Sequence, residues 1–196
     1  MAAAENGTSG EIVPVFVEAS GPYAEASWKA GTVLGAMAVA AGDLLAQDWV
    51  AAHSTTPLLV FAAAFAAGFF GAPFAPPLLR RLAGRRAMDE QVSLRAEAAF
   101  TREQVFATRD RTGILIFVSL LERKVRVLAD SGIHAKAADG TWDGVVGKVV
   151  SGMKAGRPAD GIVEAVELCG QLLRQHGFVA RPDDTNELPD SLRIES

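Results

Sequence analysis

Four aspartates near the predicted ends of strands and helices are the residues best placed to do chemistry. They are Asp110, Asp130, Asp139 and Asp143, and the hydroxyl residues Thr108 and Ser131 lie close to them in the chain. Carboxylate oxygens are the ligands that Ca²⁺ and Mg²⁺ prefer, so the loops that carry them could bind either cation. The alternative is structural, because short acidic side chains also cap helices and turns.

The common catalytic motifs are absent from the sequence. It contains no G-x-x-x-x-G-K-[ST], G-x-S-x-G, H-E-x-x-H or C-x-x-C pattern. Its three histidines make a histidine-rich metal centre unexpected, and its single cysteine, Cys169, falls on the apolar face of a predicted helix. A net charge of −4 and a pI near 5.4 argue against a nucleic-acid partner. These features favour a non-enzymatic role, and no cofactor beyond Ca²⁺ or Mg²⁺ is suggested.

Two apolar segments, residues 28–50 and 57–79, contain most of the hydrophobic excess of the chain. Each is long enough to cross a bilayer core of about 30 Å. Trp28 and Trp49 lie near the ends of the first segment, where indole rings prefer the membrane interface. The second segment has no charged residue, and its prolines should kink it or end its regular helix early. The sequence therefore predicts a transmembrane hairpin over residues 28–79.

One carboxylate in the first apolar segment stays open to two interpretations. Asp43 lies six residues before Trp49. Its side chain could reach interfacial water, or it could be a functional group within the membrane, because charges there are expensive. Transport would rest on this residue alone.

Small residues are frequent on both predicted helices and would let their backbones approach closely. They are Gly31, Gly35 and Gly42 on the first helix and Ala63, Ala67 and Gly71 on the second. The contact could form within the hairpin or against the helices of a partner protein.

The distribution of basic residues predicts the orientation in the membrane. Lys29 flanks the first span at its start, and Arg80, Arg81, Arg85 and Arg86 follow the second. A short loop is predicted between the two spans, and all of these basic residues lie at the opposite end of the hairpin. The positive-inside rule therefore places both termini in the cytoplasm. No signal peptide is visible at the N-terminus. We expect an integral protein of the bacterial inner membrane.

The remaining sequence predicts one α/β domain that the hairpin interrupts. Residues 10–18 predict a strand, with Pro14 indicating an edge position or a bulge. Residues 89–108 predict a helix, residues 113–129 a β-hairpin, and residues 141–153 and 160–176 two further helices. The domain would comprise residues 1–27 and 80–180, followed by an extended, weakly ordered tail over 181–196.

The stretch from Thr108 to Ile133 resembles the TPM domain, a family named for thylakoid, phosphatase and membrane proteins. The resemblance rests on Thr112–Ser119, read as TGILIFVS, on Glu122–Val127, read as ERKVRV, and on Asp130–Ile133, read as DSGI. The first strand, Trp142 and the Gly161–Ala165 stretch also match the family pattern. The sequence departs at Thr112, where asparagine is usual, and at Glu122, where aspartate is common.

This resemblance implies a three-layer-like α/β sandwich, with a small mixed sheet flanked by helices. It is most similar to a bacterial branch whose domain contains a transmembrane hairpin. The family's association with photosystem maintenance implies an accessory or assembly factor of a larger membrane protein complex. Its association with weak acid phosphatase activity and divalent metals implies the alternative, a metal-dependent phosphatase at the cytoplasmic membrane face.

Overall fold

The computed structural model describes residues 8–45, 55–134, 136–137, 140–179, 188 and 193–195. In chain order the elements are β1 (Glu11–Val17), α1 (Ala24–Leu45), α2 (Thr56–Gly71), a 3₁₀ turn (Ala72–Phe74), α3 (Pro76–Ala83), α4 (Arg85–Arg102), β2 (Gly113–Ser119), β3 (Lys124–Ala129), α5 (Ser131–His134), α6 (Asp143–Lys154), α7 (Pro158–Gln175) and β4 (Arg193–Glu195).

Contacts divide the chain into two compact units. The sheet unit comprises Met1–Ser20 and Gln91–Ser196, and the hairpin unit comprises Gly21–Glu90. Helix α4 begins in the hairpin unit and ends in the sheet unit. The predicted division into a discontinuous domain over 1–27 and 80–180 and a hairpin over 28–79 stays a prediction.

The sheet unit contains a mixed sheet of four strands in the order β3-β2-β1-β4. Strand β1 is parallel to both β2 and β4, whereas β2 and β3 are antiparallel. Every residue of β2 is buried. A strand that is covered on both faces needs a continuous apolar run, and the sequence GILIFVS supplies one.

Two hydrophobic clusters cover the two faces of the sheet. Ile12, Ile114 and Ile116 pack against α6 and α7 in one cluster. Val15, Leu115 and Phe117 pack on the other face, in a cluster that includes Val92, Ala96 and Ala99 of α4. Successive side chains along each strand point to opposite faces and therefore contribute to both clusters. This arrangement confirms the predicted mixed α/β fold with a sheet flanked by helices.

The predicted helix over residues 89–108 ends earlier than expected. Helix α4 stops at Arg102, and Gln104 adopts a left-handed conformation with φ 52°. Val105 is fully buried in the cluster that contains Leu115. Burial of Val105 against the sheet requires the chain to turn here, and this requirement overrides the helical periodicity.

The start of α7 also differs from the prediction. The sequence suggests Asp160 as the N-cap, but the cap position is Arg157 and Pro158 occupies the first turn. Proline fits there because the first helical N–H groups have no partner within the helix. Asp160 instead pairs with Arg157 at 3.2 Å. The sequence also suggests Gly177 as the C′ residue that ends this helix, and its φ of 79° confirms that prediction.

The first strand is not an edge strand. Strand β4, within the predicted weakly ordered tail, pairs with Val15–Val17 of β1. Pro14 has no partner on β4 among the described residues, so its missing N–H removes no bond from that pairing. The interruption by proline is therefore accommodated just before the parallel pairing with β4 begins.

The hairpin unit contains two packed helices. Gly31 of α1 lies against the ring of Phe65 on α2, and Gly35 lies against Phe61, so the helices are antiparallel. The regular part of α2 ends at Gly71 and a new helix begins at Pro76, as the prolines predicted. Trp49 and the loop residues His53 and Ser54 fall outside the described residues.

Within the described residues, Thr56–Phe74 is the one helical stretch long and apolar enough to cross a membrane. Its mean hydropathy is 1.8, and 11% of it is buried. Length and composition alone give this result, and the core helix of a soluble protein can also satisfy both criteria. A membrane-spanning hairpin over residues 28–79 therefore stays a prediction.

Candidate functional site

One end of the sheet gathers the loops that contain the predicted aspartates. Because β1 and β2 are parallel and β3 is antiparallel to β2, the starts of β1 and β2 meet the end of β3. The hydroxyl of Thr112 donates to the carbonyl of Ser9 at 2.6 Å, which joins the first two loops. The N–H of Gly132 donates to the carbonyl of Arg111 at 3.0 Å, which adds the third. We call this the aspartate end of the sheet.

Asp130 is buried at this end, with 4% of its surface exposed. Its Oδ1 accepts hydrogen bonds from Nη2 of Arg111 at 3.0 Å and from the N–H of Ser131 at 2.6 Å. Its Oδ2 lies 2.7 Å from Nε of Arg111, in an ion-pair contact. The guanidinium thus approaches both carboxylate oxygens, the arrangement that arginine makes most readily with carboxylates. These contacts give Asp130 a structural role in holding the loops together.

Asp110 lines a cavity of about 300 Å³ at the same end. Ser9, Thr112, Lys136 and Phe178 also line this cavity. The ammonium of Lys136 lies 4.5 Å from the centre of the Phe178 ring, within the range of a cation–π contact. The cavity therefore combines a carboxylate, hydroxyl groups and a cation, a mixture that can hold a small polar ligand.

The other two predicted aspartates do not line this cavity. Asp143 is exposed in the first turn of α6, where a negative charge interacts favourably with the helix dipole. Asp139 lies outside the described residues. In the part of the chain that the structure describes, no group of three or more histidine, cysteine, aspartate or glutamate side chains could hold a metal ion. The predicted Ca²⁺ or Mg²⁺ site stays a prediction.

Sequence reasoning did not identify Arg111, or the hydrogen bond that Thr108 makes, as features that organise the aspartate end. Arg111 was not identified as the partner of Asp130, because their pairing depends on the return of β3 along β2. Thr108 accepts a hydrogen bond from the N–H of Thr112 at 2.9 Å, which closes the loop between them. The nearest sequence signal was the run Thr108–Gly113, whose polar residues and terminal glycine predict a turn.

A second buried polar cluster lies at the opposite end of the sheet. Glu122 is 4% exposed and accepts a hydrogen bond from the N–H of Ser20 at 2.8 Å. The hydroxyl of Ser119 donates to the other oxygen of the same carboxylate, and it lies 2.8 Å from the hydroxyl of Ser20. Glu122 therefore ties the turn after β2 to the segment that leaves β1. We call this group the Ser–Glu cluster.

Cys169 lies in the cluster between the sheet and helices α6 and α7. It is fully buried, and burial raises the pKa of its thiol to about 12. A thiol in this environment stays protonated near neutral pH and is a poor nucleophile. Elsewhere on these helices, a hydrogen bond from Lys148 lowers the pKa of the exposed Glu164 carboxyl.

Only some of the small residues that were predicted to pack lie in the contact between α1 and α2. Gly31 and Gly35 lie in this contact, whereas a Cβ atom on Gly42 or Gly71 would meet nothing within 4 Å. Ala63 and Ala67 are exposed. The aromatic side chains of α2 occupy the contact and leave these positions outside it. Gly68, which the sequence analysis did not select, packs against Ala30 and Gly31.

The predicted interface residues lie at one end of the hairpin unit, except Trp49, which is outside the described residues. Trp28 packs against Phe65 and Phe69, with ring centres 5.3 and 5.4 Å apart. Lys29 donates to the carbonyl of Leu82 in α3 at 3.3 Å. The four arginines are carried by α3 and the start of α4: Arg80, Arg81, Arg85 and Arg86.

The fold and the aspartate end define this protein as a three-layer α/β protein with a helical hairpin between its first two strands. Residues 81–172 match the family model of the TPM domain. This match supports the TPM domain family for that part of the chain, in agreement with the resemblance of Thr108–Ile133. It does not identify a membrane-anchored branch or an activity.

One solved structure with a similar fold is the NMR structure of BA42 protein from the psychrophilic bacterium Bizionia argentinensis. The match has a TM-score of 0.59 and 18% sequence identity, and it covers 99% of this chain and 86% of that chain. At this identity the similarity shows the fold alone, because one fold can host many functions. No curated protein is significantly similar to the chain.

Proposed function

We propose that this protein is a membrane-anchored, TPM-like interaction module that serves as an accessory or assembly factor of a larger membrane protein complex. One observation carries the proposal: α2 is strongly apolar and has no buried residue. A helix in the core of a soluble protein would bury such a surface, and a large exposed apolar patch marks an interface with lipid or protein.

The exposed side chains of α1 agree with this proposal. Val33, Met37 and Leu44 are 52%, 63% and 78% exposed. With α2 and the following turn they leave an apolar surface on both helices. The arginines at 80, 81, 85 and 86 would then lie at the cytoplasmic side of the bilayer, near anionic headgroups.

In the described part of the sheet unit, the buried acids hold the architecture together, which favours an interaction role over an enzymatic one. Among the described residues, Asp130 is paired with Arg111. Glu122 accepts hydrogen bonds from the N–H of Ser20 and the hydroxyl of Ser119. These buried acids stabilise the architecture. The proposed role is to present the sheet unit to a membrane protein partner.

A matched pair of substitutions tests the membrane anchor. Ala67 on α2 and Ala98 on α4 are both exposed alanines on helices. Ala67→Arg would place a charge within the proposed span, at a cost of about 2.5–3.5 kcal/mol in insertion. We expect it to reduce the membrane-bound fraction of the protein, whereas Ala98→Arg should leave that fraction unchanged.

Purification in an uncharged detergent, followed by cross-linking and identification of bound proteins, tests the accessory role. We expect a membrane protein to remain with the wild type and with Ala98→Arg. A protein that fractionates with the cytosol, or one that is monomeric in the membrane with no associated protein, would contradict the proposal.

The cavity beside Asp110 favours one second function, a weak metal-dependent phosphatase. Its lining includes a carboxylate, two hydroxyl residues and Lys136, which suit a phosphorylated ligand and a cation. Ca²⁺- or Mg²⁺-dependent turnover of a generic phosphomonoester, lost in Asp110→Asn and kept in Asp143→Asn, would support it. Turnover that is absent, or unchanged in Asp110→Asn, would remove this site.

A further inference from the structure

Strand β3 forms one edge of the sheet, because it is the last strand on its side in the order β3-β2-β1-β4. Every residue of β2 is buried, whereas Ala129 is the one buried residue of β3. Among the described residues, no backbone hydrogen bond joins Val125 or Val127 to a segment other than β2. An edge strand of this kind is a template on which another chain can add a strand.

The hydrogen bonds between β2 and β3 show which backbone groups of β3 face outward. The N–H of Asp130 donates to the carbonyl of Gly113 at 2.9 Å, in the register that continues along β3. In an antiparallel pair, residues that bond to the neighbouring strand alternate with residues that face away from it. The even-numbered residues of β3 therefore bond to β2, and the N–H and C=O groups of Val125 and Val127 point to the outer side.

A cavity of about 500 Å³ lies on one face of this edge, between the sheet and the second half of α6. Val118 and Val125 contribute to its apolar lining from the sheet, and Val150 and Met153 do so from α6. The side chain of Val127 also packs on the face that α6 and α7 cover. The volume falls within the range of about 300–1,000 Å³ that is typical of ligand pockets.

A strand added outside β3 would divide its side chains between the two faces of the sheet. Side chains opposite Val125 and Val127 would lie on the α6 face, beside the cavity, because residues that face each other on paired strands point to the same side. The side chain opposite Arg126 would lie on the other face. Arg126 is exposed, so a carboxylate at this position of the added strand would meet an opposite charge.

The charges of β3 distinguish between two kinds of added strand. A second copy of β3 would bring the cations Lys124 and Arg126 of both copies to one face, and like charges on facing strands are unfavourable. Cations on an edge strand are a common protection against such self-pairing. That protection does not account for an apolar cavity beside the strand. An acidic segment of a different protein fits both features.

We propose that β3 binds an extended segment of a partner protein as a fifth strand of the sheet. The segment alternates apolar and acidic residues, with an apolar side chain at the cavity beside Val125 and a carboxylate opposite Arg126. Main-chain hydrogen bonds give affinity in this mode of recognition, and pockets for alternate side chains give specificity. The inference rests on the proposed interaction role and names the chemistry of the partner. Binding requires neither the aspartate end nor insertion of the hairpin.

Fluorescence anisotropy of a labelled peptide tests the site on the full-length protein in an uncharged detergent. The probe is a peptide of about seven residues in which valine and glutamate alternate, long enough to pair with all of β3. One control peptide has serine in place of valine, and the other has lysine in place of glutamate. We expect the valine–glutamate peptide to bind at least about tenfold more tightly than either control.

Two N-methylated forms of the probe test the pairing of strands. Alternate residues of a strand direct their N–H groups to opposite sides, so methylation of the valine nitrogens or of the glutamate nitrogens blocks one edge of the peptide only. One form should bind at least about tenfold more weakly than the other. Weak binding of the valine-methylated form identifies an antiparallel strand, and weak binding of the glutamate-methylated form a parallel one. Equal affinity of the two forms would overturn strand addition.

Three variants connect the binding to β3. Val127→Pro removes an outward N–H, and an edge strand tolerates proline at such a position. It should weaken binding of the probe at least about tenfold while the protein still unfolds cooperatively on heating. Arg126→Glu should shift the preference to the valine–lysine peptide. Lys148→Glu is the control with the same change of charge, because Lys148 lies on α6 outside the cavity and pairs with Glu164 at 2.9 Å.

Several outcomes would overturn the proposal. Equal binding of the valine and serine peptides would show that the cavity takes no side chain. Full binding to folded Val127→Pro, or an equal change of preference in Lys148→Glu, would show that the peptide does not pair with β3. If Val127→Pro does not fold, the two N-methylated peptides decide. A protein that stays in the membrane with its partner but binds no peptide contradicts this inference alone, whereas peptide binding by a protein that fractionates with the cytosol contradicts only the proposed anchor.

Discussion

The carboxylate of Asp130 and the guanidinium of Arg111 are paired through contacts of 3.0 and 2.7 Å at the aspartate end of the sheet. The pair is asymmetric, because Asp130 is buried while the side chain of Arg111 is 53% exposed. Water therefore screens the arginine, so the pair contributes less than a fully buried ion pair would. The hydrogen bond from the N–H of Ser131 is a second, local contact that holds the carboxylate in place.

Asp130→Asn should destabilise the protein by about 1–3 kcal/mol, because it removes a charge-assisted acceptor from a buried position. Urea unfolding, followed by circular dichroism, measures the change as a lower midpoint. Asp143→Asn is the matched control, since Asp143 is exposed in the first turn of α6. An equal midpoint for wild type and Asp130→Asn would exclude the structural role of this pair.

Two glycines on α6 should respond in opposite ways to substitution by alanine. A Cβ atom on Gly152 would lie 2.5 Å from the Cα of Gly161 on α7, whereas one on Gly147 would meet nothing within 4 Å. Gly152→Ala should therefore destabilise by about 1–3 kcal/mol through overpacking. Gly147→Ala should stabilise by up to about 1 kcal/mol, because alanine is the better helix former.

Thermal unfolding of both α6 variants measures this difference. The melting temperature should fall for Gly152→Ala and rise slightly for Gly147→Ala. A rise for both variants would mean that α6 and α7 do not approach as closely as Gly152 and Gly161 indicate.

The contact between α1 and α2 offers a similar comparison within the hairpin unit. A Cβ atom on Gly68 would lie 2.7 Å from the carbonyl oxygen of Ala30, and one on Gly71 would meet nothing within 4 Å. Gly68→Ala should weaken the contact by about 1–3 kcal/mol, and Gly71→Ala should not.

Fluorescence of Trp28 reports on this contact, because its ring packs against Phe65 and Phe69. The other two tryptophans, Trp49 and Trp142, would be replaced by phenylalanine for the measurement. Titration with sodium dodecyl sulfate should separate the helices of Gly68→Ala at a lower concentration. Identical curves for Gly68→Ala and Gly71→Ala would argue against the contact at Gly68.

Cys169 should make the stability of the sheet unit sensitive to alkaline pH. The pKa of its thiol rises from an ordinary value of 9.0 to about 12 in the folded protein, because the thiolate is disfavoured by burial. The unfolded chain therefore loses this proton at a lower pH than the folded protein. The stabilisation linked to Cys169 is complete below about pH 9 and is lost as the pH rises towards 12.

Urea midpoints of wild type and Cys169→Ala, compared from neutral to alkaline pH, test this expectation. The urea midpoint of wild type should fall relative to that of Cys169→Ala as the pH rises above 9. Alkylation with iodoacetamide at neutral pH should be slow in the native protein and fast in urea, since the thiol is buried. Rapid alkylation of the native protein would contradict the burial of Cys169.

Local pattern was enough to predict most of the elements of the fold. The apolar run of Ile114–Leu120 and the charged turn after it predicted β2 and β3, because strand formation and turn formation depend on neighbouring residues. The prolines at positions 73, 76 and 77 likewise predicted the end of α2, because proline disrupts a helix locally. The resemblance of Thr108–Ile133 to the TPM domain suggested the family, and the match of residues 81–172 to the family model supports it.

Contacts between residues that are far apart in the sequence could be identified only from the tertiary structure. The sequence selected Gly71 and Ala67 for helix packing, but the contact uses Gly68, because the rotation of α2 about its axis is set by its packing against α1.

The sequence by itself determined the order of β1, β2, β3 and the longer helices, the two apolar segments and the TPM-like pattern, because these follow from periodicity and from local side-chain chemistry. The tertiary structure decided that Asp130 pairs with Arg111, that β4 pairs with β1, and that Glu122 binds the N–H of Ser20. The physical reason is that such contacts depend on strand register and helix packing, which bring together side chains that no local pattern relates.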